Sequence, residues 1–125
     1  MQRLFKTTLM ITIKEKVYKH NLNFFYSEEE MQNFADSKGC EITNLDGISP
    51  SCTYLRTTFE ICIFMPKIKK SHLFYAELAH EIMHAVFRVM ENVGVGYNKE
   101  SEEAFTYLHT YYMYELLKKL KKNTC

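Results

Sequence analysis

Residues 80–84 read His80-Glu81-Ile82-Met83-His84, and this pentapeptide carries the clearest chemical pattern in the chain. In a helix, positions four apart lie on one face about one turn from each other, so the two imidazoles can bind one metal ion. The carboxylate of Glu81 lies about 100° further round the helix, where it can reach a water molecule held by that metal. Two histidines and an adjacent carboxylate are the groups that zinc-activated hydrolysis requires.

The sequence around the pentapeptide predicts one long helix. No proline or glycine occurs from Ser71 to Val93, Ser71 is suited to cap the N-terminus, and Gly94 or Gly96 can end the helix. Apolar residues repeat at helical spacing and are expected to face the core: Leu78, Ile82, Val86 and Val89. The alternative is an ordinary amphipathic helix whose two histidines are solvated or satisfied in the core.

A second helix is predicted after a break at residues 93–97, and its first turn is acidic. A catalytic zinc usually takes three protein ligands and leaves a fourth position for water. A helix that returns after a short loop can place a carboxylate opposite the two imidazoles. The candidates are Glu100, Glu102 and Glu103, of which Glu103 lies 19 positions after His84. The same carboxylates would also complement the helix dipole without any metal.

Together the two segments resemble the gluzincin class of zinc metallopeptidases over roughly residues 71–110. Members of that class carry the same histidine–glutamate pattern on one helix and a ligand glutamate on the next. That glutamate often precedes alanine or glycine and then an apolar or aromatic residue, as in Glu103-Ala104-Phe105. The compact relatives are minimal gluzincins, ImmA/IrrE-type peptidases and small peptidase-like proteins of phages and mobile elements.

The resemblance implies a role for each residue of the pattern. His80, His84 and Glu103 would bind one Zn²⁺ per chain, with Glu102 as the alternative third ligand. Glu81 would be the catalytic general base that activates a zinc-bound water. In the thermolysin-like pattern an aspartate follows the ligand glutamate by four positions, but this chain has Tyr107 there. These 125 residues do not include the large C-terminal domain of those enzymes, so their transition-state residues cannot be carried over to this sequence.

The function implied is hydrolysis of peptide bonds in a protein or peptide substrate, with a regulatory protein among the candidates. The oxyanion of the tetrahedral intermediate needs a second stabilising group. Side chains that can donate to it are Tyr97, Tyr107, His109 and Tyr111, although most aromatic residues at positions 105–114 are expected to serve packing. His109 lies six positions after Glu103 and off its face, so it is not expected to be a metal ligand.

A non-catalytic protein is the alternative function. It would keep a zincin-like fold as a binding or accessory protein, of phage or mobile-element origin, and hold a structural metal. Structural zinc sites are usually closed by four protein ligands and need no general base. The presence of Glu81 therefore favours the enzyme.

The composition is that of an ordinary globular protein, and the 125 residues are expected to form a single domain over positions 1–125. The net charge of +1 gives no global field to attract nucleic acid. No apolar run reaches 18 residues, so no membrane span is expected. The oligomeric state stays open.

Cysteine usage indicates the compartment. The four cysteines form no C-x-x-C pair and are interpreted as reduced thiols of a cytoplasmic protein: Cys40, Cys52, Cys62 and Cys125. A Cys52–Cys62 bridge between strands is the less favoured alternative.

The N-terminal half is expected to supply a small twisted sheet. Strands are predicted at Thr7–Ile13, where Leu9, Ile11 and Ile13 alternate, within Val17–Tyr26, and within Cys52–Met65. Ser27-Glu28-Glu29-Glu30 is a capping box that should start a helix ending near Gly39. The fold class is therefore α+β. By resemblance it is a minimal zincin-like fold, whose sheet packs on a metal-binding helix and a following ligand helix.

The resemblance also predicts where a substrate would lie. The strand just before the metal helix, at residues 57–65, should border the cleft. An extended peptide could then add to its exposed edge through main-chain hydrogen bonds.

Overall fold

The computed structural model describes residues 10–42, 45–66 and 71–124. The elements in chain order are β1 (Met10–Lys14), β2 (Asn21–Phe25), α1 (Glu28–Ser37), β3 (Ser51–Leu55), β4 (Glu60–Phe64), α2 (His72–Asn92) and α3 (Glu102–Thr124). The strands form one mixed sheet, with α2 and α3 on one face and α1 on the other. The α+β class predicted from the sequence is confirmed.

The strand order in the sheet is β1-β2-β4-β3. Strand β2 pairs with β1 in antiparallel and with β4 in parallel orientation, and β3 pairs antiparallel with β4. Strand β4 is therefore internal, and the prediction that residues 57–65 offer an open edge is wrong. The physical reason is the unbroken apolar run Ile61–Met65, all of it buried. Such a run suits a strand covered on both faces.

Two layers of core lie on the two faces of the sheet. The larger layer joins the sheet to α2 and α3, and it contains the four residues of the predicted helical stripe, all fully buried: Leu78, Ile82, Val86 and Val89. The smaller layer packs Met31 and Ala35 of α1 against Phe25, Cys62 and Phe64. Burial of each large apolar side chain contributes about 1.5–3 kcal/mol, so the stripe fixes which face of α2 meets the sheet.

The predicted helix caps are present. The Ser27 hydroxyl accepts a hydrogen bond from the Glu30 amide at 3.3 Å, and the Ser71 hydroxyl accepts one from the Phe74 amide at 3.2 Å. After α1 and α2 the chain turns through Gly39 and Gly94, with φ of 75° and 80°. Because this left-handed region favours glycine, both helices end where the sequence predicts.

Some predicted boundaries shift or lie outside the described residues. Strand β1 begins at Met10, whereas the predicted positions 7–9, including Leu9, are not described. Helix α3 begins at Glu102 rather than Glu100. Among the described helices none is long and apolar enough to cross a membrane.

The cysteines of the hairpin do not form a bridge. Cys52 pairs across the β3–β4 ladder with Ile63, whereas Cys62 pairs with Thr53. Cross-strand partners share a face and neighbours along a strand alternate, so the two sulfur atoms lie on opposite faces of the sheet. Cys40, Cys52 and Cys62 are free thiols, and Cys125 lies outside the described residues.

Candidate metal centre on helix α2

The two histidines of the pentapeptide lie on the outer face of α2, opposite its buried stripe, and both are exposed. Their Nε2 atoms are 3.1 Å apart, with ring centroids 4.7 Å apart and the rings nearly perpendicular at 83°. Residues four apart on a helix are neighbours, but exposed imidazoles need not turn their ring nitrogens towards each other. The rotamers of His80 and His84 therefore place two nitrogen atoms that can bind a metal side by side.

The spacing of these nitrogens fits one zinc ion. Zn–N bonds of 2.0–2.1 Å at tetrahedral angles place two nitrogen ligands about 3.3 Å apart. The observed 3.1 Å requires only a small adjustment. Imidazole is also a preferred zinc ligand. Without a metal, the same distance suits an N–H···N hydrogen bond between two neutral rings.

Glu81 faces another direction, towards the edge of the sheet. As a whole residue Glu81 is only 8% exposed, whereas its carboxylate oxygens make no hydrogen bond within the described residues and keep some contact with solvent. Burial raises the pKa of this carboxyl, while the neighbouring His84 and His80 act in the lowering direction. Burial also raises the pKa of the Cys52 thiol on β3, and the nearby Glu81 carboxylate adds to that rise. Glu81 therefore lies between the histidine pair and the edge strand.

The third ligand is not assembled with the pair. In the described parts of the chain, no group of three or more His, Cys, Asp or Glu side chains lies close enough to hold a metal ion. The exposed side chain of Glu103 lies in the first turn of α3, and Glu102 accepts a hydrogen bond from the Tyr97 hydroxyl at 3.5 Å. The structure thus brings His80 and His84 together but neither candidate glutamate with them.

The candidates for oxyanion stabilisation lie in three places, and Tyr97 is in the α2–α3 connection beside Glu102. Tyr111 donates to the Lys14 carbonyl at 2.9 Å, and Tyr107 stacks on Tyr111, so this pair lies towards β1. His109 instead reaches α2, where its Nε2 lies 3.2 Å from the carbonyl oxygen of Ala79, the residue just before His80. Helical spacing within α3 could not show this approach, because it depends on how α3 packs against α2.

A buried polar cluster at the far end of α2 was not identified from the sequence. His20 is fully buried, with Nδ1 2.8 Å from the Tyr18 carbonyl and Nε2 2.9 Å from the Asn92 side-chain nitrogen. The Tyr112 hydroxyl donates to the His20 carbonyl at 3.0 Å. These bonds tie the β1–β2 connection to both α2 and α3, and they assign His20 a structural role.

No protein-family model matches the chain, and neither curated proteins nor solved structures give a significant match. The resemblance to gluzincins therefore rests on the residues between positions 71 and 110.

Proposed function

We propose that the protein is a zinc-dependent metallopeptidase that hydrolyses peptide bonds in a protein or peptide substrate. The observation that carries the proposal is the 3.1 Å approach of the His80 and His84 Nε2 atoms beside Glu81, a residue that is only 8% exposed. Partial burial raises the pKa of the Glu81 carboxyl, and carboxyl groups with shifted pKa values concentrate at functional sites.

In this proposal each side chain has a separate task. His80 and His84 hold one Zn²⁺ per chain, and the bound ion would acidify water and polarise the substrate carbonyl. Glu81 accepts a proton from the attacking water and delivers it to the leaving nitrogen. Because burial raises the pKa of Glu81, its carboxylate is a stronger base than an exposed one.

The third ligand is proposed to come from the first turn of α3. Glu103 is the preferred residue because of its Glu-Ala-aromatic context, and its exposed side chain makes no hydrogen bond or ion pair within the described residues. It can therefore change rotamer without breaking a contact. Glu102 would first have to release the Tyr97 hydroxyl, and it is the second choice.

The substrate is proposed to lie along β3 rather than β4. Strand β3 is the sheet edge beside α2, and no described strand pairs with its outer side. A groove of about 550 Å³ runs between this edge and α2, lined in part by Cys52, Tyr54 and Arg88. An extended peptide pairing with β3 would have main-chain hydrogen bonds available close to Glu81.

The test compares peptides generated in a cell-extract digest by the zinc-loaded wild type and by Glu81→Gln. Cleavages present with wild type and absent with the variant support the proposal, provided that both proteins bind one zinc per chain. Glu29→Gln is the matched control, since it makes the same charge change at an exposed position on α1. Equal peptide profiles for wild type and Glu81→Gln would reject the general-base role. Tight zinc binding without any cleavage would instead favour an accessory protein with a structural metal.

A further inference from the structure

An open pocket of about 470 Å³ lies between the end of α2 and the start of α3. Three aromatic side chains form its walls: Phe87, Tyr97 and Phe105. Their rings contact one another, with centroids 5.0–6.1 Å apart. Phe87 and Tyr97 remain 45% and 55% exposed, so these two rings present open faces to solvent.

The pocket continues the face of α2 that carries the histidine pair. His80, His84, Phe87 and Glu91 follow one another at intervals of four, three and four positions. This spacing places them on one side of the helix. Phe87 lies only about 4.5 Å further along the helix axis than His84. A peptide bound at the histidines could therefore place a neighbouring side chain in the pocket.

The charge around the pocket is negative. Glu91 lines it, and Glu102 accepts the hydroxyl of the wall residue Tyr97. From position 91 to 103 the sequence holds four carboxylates against the single ammonium of Lys99: Glu91, Glu100, Glu102 and Glu103. Arg88 pairs with Glu91 at 3.2 Å, but both side chains are mostly exposed, at 61% and 73%. An exposed pair of this kind contributes at most about 1 kcal/mol and can be exchanged for a ligand.

We propose that this pocket binds a lysine or arginine side chain of the peptide substrate. The proposal rests on the metallopeptidase function proposed above and gives its substrate a basic residue. The aliphatic stem would pack on Phe87 and Tyr97, and the charged end would meet Glu91. Aromatic faces attract a cation as well as an apolar stem. A purely apolar side chain would use the walls but would bring no countercharge to the carboxylates.

The binding test needs neither metal nor cleavage. Isotope-labelled protein is titrated with Nα-acetyl-lysinamide and Nα-acetyl-norleucinamide, which differ in the terminal ammonium group, while the amide signals of Gly94, Gly96 and Tyr97 are followed by NMR. The lysine probe is expected to bind about fivefold more tightly, since a cation–π contact and an exposed ion pair together contribute about 1 kcal/mol. Equal or tighter binding of norleucinamide would overturn the basic specificity. Absence of shifts at these amides with both probes would overturn the pocket itself.

Substitutions at Glu91 and at the pocket wall separate the contribution of charge to probe binding from the contribution of pocket shape. Glu91→Gln should reduce the preference for lysine from about fivefold to about twofold, because the cation–π contact remains, whereas Glu29→Gln, with the same charge change on α1, should preserve the full preference. Gly96→Val should weaken both probes, because a Cβ at Gly96 meets no atom within 4 Å and the added side chain would occupy the pocket. Circular dichroism checks that the variants fold. Phe87→Leu is a second variant of the pocket wall, and it should weaken binding of the lysine probe as Gly96→Val does. An undiminished lysine preference in Glu91→Gln contradicts the proposal.

The outcomes distinguish this inference from the metallopeptidase proposal. Lysine binding without any Glu81-dependent cleavage would support the pocket proposal and reject the metallopeptidase proposal. Glu81-dependent cleavage with no enrichment of lysine or arginine near the cut bonds would support the metallopeptidase proposal and reject the pocket proposal.

Discussion

The Nε2 atoms of His80 and His84 lie 3.1 Å apart although both side chains are exposed on α2. Solvation alone does not require this convergence, because water can satisfy each ring separately. A shared cation would use both nitrogens at once and would hold α2 in its folded state. The pair therefore predicts a coupling between zinc binding and stability.

Zinc should raise the melting temperature of the wild-type protein. A ligand that binds only the folded state at 100 times its Kd adds about 2.7 kcal/mol, which corresponds to roughly 10 °C for a domain of this size. His84→Ala should abolish the shift and, because the side chain is exposed, change the zinc-free stability by less than about 0.5 kcal/mol. His72→Ala, an exposed histidine of the same helix, is the control and should retain the shift. Equal zinc shifts in all three proteins would contradict the metal centre.

The third ligand can be identified by zinc affinity. Glu103→Ala should weaken zinc binding more than about 100-fold, because outer partners of metal ligands alone are worth 10–100-fold. Glu102→Ala and His109→Ala should remain within a few-fold of wild type. Competition with a chromophoric chelator measures all three. If His109→Ala showed the largest loss, α3 would supply an imidazole in place of a carboxylate.

The parts of the fold predicted correctly are those specified by neighbouring residues. The caps at Ser27 and Ser71 form because a hydroxyl and an amide three positions away are already close in the first helical turn. The buried stripe of α2 follows from helical periodicity in the same way. The histidine pair belongs to this class as well, since its two members are one turn apart.

The parts that were missed depend on pairing between distant segments. Strand β4 is internal because β2, some 40 positions earlier, adds to it in parallel with Leu22 opposite Ile61. No local pattern specifies that register. Likewise His109 meets Ala79 only because α3 returns beside α2. The approach of His80 to His84 was therefore predictable from α2 alone, whereas the packing of α3 beside α2 was not.

Removing the charge of Glu81 should stabilise the zinc-free protein. Glu81 is only 8% exposed as a residue and burial raises the pKa of its carboxyl, so the folded state is penalised for holding its charge. Glu81→Gln keeps the shape and removes the charge, and its melting temperature in a chelating buffer should exceed that of wild type. Glu29→Gln, at an exposed position in the first turn of α1, should not raise the melting temperature, because its carboxylate complements the helix dipole. A lower value for Glu81→Gln would show that the carboxylate has a stabilising partner.

Alkaline pH should destabilise the protein through its buried thiols. Burial raises the pKa of Cys62 from 9.0 to about 12, and it also raises the pKa of Cys52 and of the Tyr112 hydroxyl. Between pH 9 and 12 the unfolded chain releases the Cys62 proton while the folded chain keeps it, so the unfolded state binds fewer protons. The free energy of unfolding of the protein must therefore fall as pH rises. For one group the decrease is up to about 1.4 kcal/mol per pH unit.

Urea unfolding at several pH values between 8 and 11 measures this slope. Cys62→Ala should be less stable at pH 8, because it leaves a small cavity in the core, and yet should lose less stability than wild type on the way to pH 11. The comparison uses slopes, so the cavity does not obscure it. Val17→Ala changes an exposed side chain and should reproduce the wild-type slope. Identical slopes for Cys62→Ala and wild type would show that the Cys62 thiol ionises equally easily in the folded and unfolded chains.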